Sequence, residues 1–148
     1  MRIKIVIDTN IMISALLRGG GFNRRVIQSC LKREFVPLMS NALFYEYESV
    51  IGREKLFLNS MTTPLEREEV INGLMAVCEW VDMHYLWRPN LRDEADNHVL
   101  ELANAGNARW LVTQNKKDFH RTELQFPHIR IVDAREFWEQ KENEPWRH

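Results

Sequence analysis

Residues 3–7 read IKIVI, and the run is followed at once by Asp8. A segment that short and that rich in Ile and Val suits a strand buried on both faces, the kind found in the middle of a parallel sheet. A carboxylate at the end of such a strand is costly unless it has partners. The alternation then repeats along the chain. Short apolar runs at 35–38, 80–84, 110–113 and 129–132 are separated by segments of helical period at 10–17, 22–32, 41–51, 64–78, 94–105 and 134–140. RGGG at 18–21 breaks the first helical segment from the second, and Ser40 is placed to cap the third. Pro64 falls in the first turn of the fourth, where proline is tolerated, and Gly106 is placed to end the fifth. Alternating β and α elements in this order predict a three-layer α/β/α fold with a central parallel sheet.

At 148 residues and 45% hydrophobic, the chain holds one domain with one core, expected over 1–140, and the charged segment 141–148 has little to bury and is expected to be a disordered tail. Its 20 basic side chains are balanced by 21 acidic ones, so there is no global basic field and a nucleic-acid partner has to be met by a local patch. Cys30 and Cys78 lack any CxxC or Cys/His spacing and are expected to be reduced core residues. No apolar run approaches the roughly 18 residues that a bilayer span needs. The chain opens directly on a strand pattern, so the expected compartment is the cytoplasm, without a membrane partner.

In a parallel sheet, ligands bind beyond the carboxyl ends of the strands, which is where Asp8 falls. Helical counting finds two more acids facing inward. In SNALFYEYESVI the i, i+3, i+4, i+7 face holds Leu43, Glu46, Tyr47 and Val50, and in DEADNHVLELA it holds Asp96, Val99, Leu100 and Ala103. Each acid also has an ordinary reading: Asp8 as a helix cap, Asp96 as an acid at a helix N-terminus, and Glu46 as a solvated residue if the phase is off by one. Taken together they point to a divalent-metal site, because clustered carboxylates repel unless protonated or held around cations. Oxygen-only ligands suit Mg²⁺ or Mn²⁺ rather than zinc. No histidine pair has zinc spacing, and His84, His98, His120, His128 and His148 are expected at the surface or in loops.

These residues carry a family resemblance that spans nearly the whole chain. VIDTNIMISALL resembles the opening of PIN-domain nucleases, SNALFYEYESVIGREKL resembles their second acidic segment, and RDEADNHVLELANAGNARWLVTQNKKDF resembles their third and fourth. Within the family the chain most resembles the VapC-like toxins of bacterial toxin/antitoxin systems. The resemblance implies that Asp8, Glu46 and Asp96 bind the metal, that Asn10 and Thr113 line the site, and that Asp93 neighbours it. It further implies an endoribonuclease that leaves 5′-phosphate and 3′-hydroxyl ends, an antitoxin protein as partner, and a homodimer. The apolar surplus of Trp80, Trp87, Trp110, Trp138, Trp146, Met39, Phe44 and Tyr47 fits such pairing. Contacts to RNA phosphates are expected from Arg18, Arg24, Arg25, Lys116, Lys117, His120 and Arg121, which flank the acidic motifs.

One position departs from the family pattern. Where many PIN domains read Thr-Gly-Asp, this chain reads Thr113, Gln114, Asn115, so the fourth acid is an amide that still lines the site but carries no charge. Asp118, in NKKDF, resembles an acid common in members with this Asn form and is expected to supply the missing charge as a catalytic residue. The rival reading is a weakened PIN domain that binds RNA or protein without cutting. A phosphatase of the haloacid-dehalogenase type needs a second Asp two residues after the first, and this chain has Asn10 there.

Overall fold

The computed structural model describes residues 2–18, 21–60, 62–83, 94–119 and 126–142, and of residues 94–97 and 118 the backbone alone. Along the chain run β1 (Ile3–Ile7), α1 (Thr9–Leu17), α2 (Phe22–Leu31), β2 (Phe35–Met39), α3 (Asn41–Ile51), α4 (Pro64–Val77), β3 (Glu79–Trp80), α5 (Glu94–Ala105), β4 (Trp110–Val112), β5 (Arg130–Val132) and α6 (Ala134–Glu142). Two 3₁₀ turns lie at Glu54–Phe57 and Lys116–Phe119. The five strands form one sheet in the order β3-β2-β1-β4-β5, with every pair parallel. The predicted three-layer α/β/α fold with a central parallel sheet is the observed one.

Side-chain alternation assigns the two helical layers. Ile5 stands in register with Pro37 and with Trp110, so Phe35 and Trp110 share one sheet face, and there they pack on Phe137 of α6. Leu38 points to the opposite face and meets the end of α5 at Gly106. Thus α6, with α2 beside it, covers one face, and α5, which also touches α3, covers the other. The middle strand β1 is buried from Ile5 to Ile7, as its Ile/Val run requires.

Three local findings refine the sequence reading. Among the described residues, which leave out His84, the expected strand at 80–84 is only Glu79–Trp80, and it pairs with Leu38 and Met39. Its ladder begins just past Pro37, whose missing N–H cannot extend it. Gly106 does not supply the left-handed residue at the end of α5; Asn107 does, with φ 59°. The glycine is needed for close approach instead, because a Cβ there would collide with Leu38 Cδ1 and lie 3.1 Å from Val81 Cγ2. Gly106→Ala is therefore expected to cost about 1–3 kcal/mol by overpacking, read as a lower urea midpoint; an unchanged midpoint would show that Leu38 yields freely. Lastly, α6 continues to Glu142, and Lys141 is buried against the ring of Trp138 with its Nζ 3.1 Å from Glu34. The rest of the expected tail, 143–148, lies outside the described residues.

Candidate metal centre

The chain leaves β1 toward β2 on one side, while β4 lies on the other, so the sheet's order reverses at β1. A crevice opens at such a reversal beyond the strand ends. Asp8 follows β1 and Thr113 follows β4, and their backbones continue the ladder: Asp8 N–H donates to Val112 at 2.9 Å and Thr113 N–H to Val132 at 2.8 Å. The two side chains meet in the crevice, where Thr113 Oγ1 donates to Asp8 Oδ2 at 2.7 Å.

Asp8 is both a helix cap and a member of this cluster. As N-cap of α1 its Oδ1 accepts the Thr9 N–H at 2.8 Å, and its Oδ2 accepts from Asn10 Nδ2 at 3.2 Å as well as from Thr113. Asn10 in turn accepts the Gln114 N–H through Oδ1 at 3.1 Å, which ties the loop after β4 to α1. Asn115 comes in through its backbone, its N–H donating to Thr113 Oγ1 at 3.1 Å, while its side chain is exposed. Of the expected lining residues, Asn10 and Thr113 therefore act directly on Asp8.

Glu46 is delivered by α3. Leu43, Tyr47 and Val50 are buried as the helical count requires, and the Tyr47 hydroxyl donates to the Ile7 carbonyl, pinning α3 to the end of β1. Burial holds the Tyr47 phenol well above its ordinary range, so it remains a donor. Beside it, Glu46 Oε1 accepts from Thr9 Oγ1 at 2.6 Å, and Glu46 Oε2 lies 2.5 Å from His98 Nε2. His98 sits on α5 with 11% of its side chain exposed, so it is neither a surface nor a loop residue. Leu102, one turn further on and fully buried, widens the apolar stripe of α5 to the side that carries His98. Thr9 and His98 are the two members of the cluster that the acidic motifs did not single out.

The environment splits the two carboxyl groups. Burial pushes Asp8 above the usual carboxylate value, the bonds from Thr113 and Thr9 pull it back in part, and the charge of Glu46 pushes it up again. Burial also pushes Glu46 up, but the bonds from His98 and Thr9 outweigh it and hold that group below its usual value. Among the described residues no lysine or arginine pairs with either acid. A desolvated carboxylate beside a second one, with no lysine or arginine paired to either among the described residues, fits a hard divalent ion.

Asp96 lies in the first turn of α5 and Asp118 in the 3₁₀ turn after β4; their side chains, and all of Asp93, His120 and Arg121, lie outside the described residues. Among the described residues no three His, Cys, Asp or Glu side chains close on one point. Of the expected RNA-binding cations, Lys116 is engaged with Glu136 and lies 3.9 Å from Asp133. Arg25 lies over the rings of Phe22 and Trp138, and Arg24 lines a cavity of about 350 Å³ with Leu16, Ile27 and Gly73 between α1, α2 and α4. Arg18 and Lys117 are exposed.

A carboxylate-lined crevice at the reversal point of an all-parallel sheet is a layout for ligands bound through their charge. A family model described as the PIN domain matches residues 4–117, and the chain belongs to that family. Members of the family are typically nucleases and generally bind divalent metals. No curated protein matches the sequence significantly. Among solved structures, a chain in the crystal structure of VapBC2 from Rickettsia felis bound to a DNA fragment from their promoter is similar, with a TM-score of 0.56 and 16% identity. The match covers 88% of this chain and 98% of that one, and at this identity it is a likeness of fold.

Proposed function

We propose that this protein is an endoribonuclease that hydrolyses RNA phosphodiester bonds with Mg²⁺ or Mn²⁺, and that it is the toxin of a toxin/antitoxin pair. The observation that carries the reading is the pair Asp8 and Glu46, joined through Thr9 at the strand-order reversal with no lysine or arginine paired to either among the described residues. Asp8, Glu46 and Asp96 would hold the metal. An ion held there would supply a nucleophile at neutral pH and neutralise charge on the phosphodiester. Thr113 and Asn10 keep Asp8 Oδ2 fixed, while Thr9 keeps Glu46 at a set distance from Asp8. Exposed Arg18 and Lys117 are available to RNA phosphates.

The fold shared with a chain from a VapBC2 structure supports an antitoxin protein as partner. Met39, Tyr47 and Trp110 are core residues, so a homodimer would instead cover exposed Tyr45, Leu58, Leu65 and Trp80. No helix among the described residues is long and apolar enough to cross a membrane.

The test is cleavage of single-stranded RNA with Mg²⁺, with Mn²⁺ and with EDTA. Metal-dependent cuts that leave 5′-phosphate ends are expected. RNA binding without cleavage in either metal would assign the weakened, binding-only reading. Asp118→Asn is expected to slow cleavage by roughly tenfold or more, as loss of a charged group near a metal does. Full activity in that variant would show that three acids suffice beside Asn115.

A further inference from the structure

Each oxygen of Glu46 is held by one donor, and both donors lie within the acidic segments without being among their acids. Thr9, from the segment DTN, holds Oε1 at 2.6 Å, and His98, from α5, holds Oε2 at 2.5 Å. A glutamate side chain that is 34% exposed keeps several rotamers open unless contacts choose among them. His98 is poorly suited to filling that space for its own sake. Its Nδ1 is buried and has no partner among the described residues, a loss that an apolar side chain at the same point of α5 would not suffer. What the imidazole gains in return is the contact with Glu46.

We propose that His98 is a positioning residue, which holds the Glu46 carboxylate from the α5 side in the orientation that receives a divalent cation together with Asp8. This rests on the reading of Asp8 and Glu46 as metal ligands. With one hydrogen bond on each Glu46 oxygen, each oxygen keeps a lone pair for a cation or its water. The Thr9 N–H, 2.8 Å from Asp8 Oδ1, joins the same clamp to Asp8, so one chain of contacts runs through Asp8, Thr9, Glu46 and His98 and links α1, α3 and α5. Because α5 also carries Asp96, the same contact sets the place of its first turns against α3. Neither oxygen donor would be needed in this arrangement if Glu46 were an ordinary solvated residue of α3.

The experiment is a calorimetric Mn²⁺ titration of the full chain as wild type, His98→Leu, His98→Gln and Asp8→Asn, with melting temperatures taken in metal-free buffer. Leu fills the space without a donor, and Gln places an amide N–H near the position of Nε2. His98→Leu is expected to melt no lower than wild type yet to bind Mn²⁺ about 10–100-fold more weakly, and His98→Gln to recover most of the affinity. Unchanged affinity in His98→Leu, beside a wild type that binds and an Asp8→Asn that does not, would overturn the positioning role and leave the metal centre standing. A lower melting temperature in His98→Leu with no recovery in His98→Gln would assign a packing role and also overturn it. Absence of Mn²⁺ binding to the wild type would overturn both readings.

Discussion

Asp8→Asn is expected to abolish metal-dependent RNA cleavage while raising the melting temperature of the metal-free protein. The loss follows from removing the more buried of the two acids Asp8 and Glu46: several kcal/mol of transition-state stabilisation corresponds to a rate on the order of a thousandfold lower. The gain follows from its electrostatics. Burial, more than any other cause, lifts the Asp8 carboxyl above the ordinary value of 3.8, so the folded chain binds its proton more tightly than the unfolded one. Stability must then fall as pH rises from that ordinary value through the folded one, and the full cost is present at neutral pH. Asn keeps an oxygen for the Thr9 N–H and carries no charge, so its advantage should be largest at neutral pH and shrink in acid. Added Mn²⁺ should reverse the order, because it stabilises by mass action only the chain that binds it. Thermal melts of both proteins at two pH values, with and without Mn²⁺, check this. A wild type more stable than Asp8→Asn in metal-free neutral buffer would contradict it.

Trp110→Ala should have the largest effect on stability. The indole is fully buried in β4, meets Phe137 at 5.2 Å and 86° and Phe35 at 6.0 Å and 72°, and donates from Nε1 to Gln140 at 3.1 Å. Truncating such a residue costs about 3–5 kcal/mol, a large part of the roughly 5–15 kcal/mol that holds a domain together. The effect should reach the site, because the register of β4 on β1, Trp110 opposite Ile5 and Val112 opposite Ile7, is what sets Thr113 against Asp8. Equilibrium denaturation in urea measures the loss, and Trp110→Phe should recover part of it. A loss under about 1 kcal/mol would mean that the core closes over the gap, unlike most sites of this kind.

How much could be read before the structure differs from residue to residue, for physical reasons. Asp8 was legible because an Ile/Val run that ends on a carboxylate leaves few alternatives, and the structure has it cap α1 and accept from Asn10 and Thr113 at once. Glu46 was legible because its helix buries one narrow stripe, so a period of 3.6 assigns the phase. His98 was not. The count through Asp96, Val99, Leu100 and Ala103 sets it off the face, yet α5 touches β1, β2 and β4 as well as α3, and so buries a wider arc that includes Leu102. The Tyr47 anchor was also out of reach, since a bond to the Ile7 carbonyl depends on how α3 docks and not on local pattern. The close approach at Gly106 was hidden for the same reason: a glycine after a helix looks like a cap, and only the position of Leu38 shows otherwise.

The central claim is that Asp8, Glu46 and Asp96 build one metal centre at the carboxyl edge of the sheet. Anomalous diffraction from crystals grown with Mn²⁺ tests it most directly. The account predicts a manganese peak contacted by the carboxylates of all three, with Thr113 still on Asp8 Oδ2 and His98 still on Glu46. A peak elsewhere, or an Asp96 side chain turned to solvent away from the other two, would contradict it.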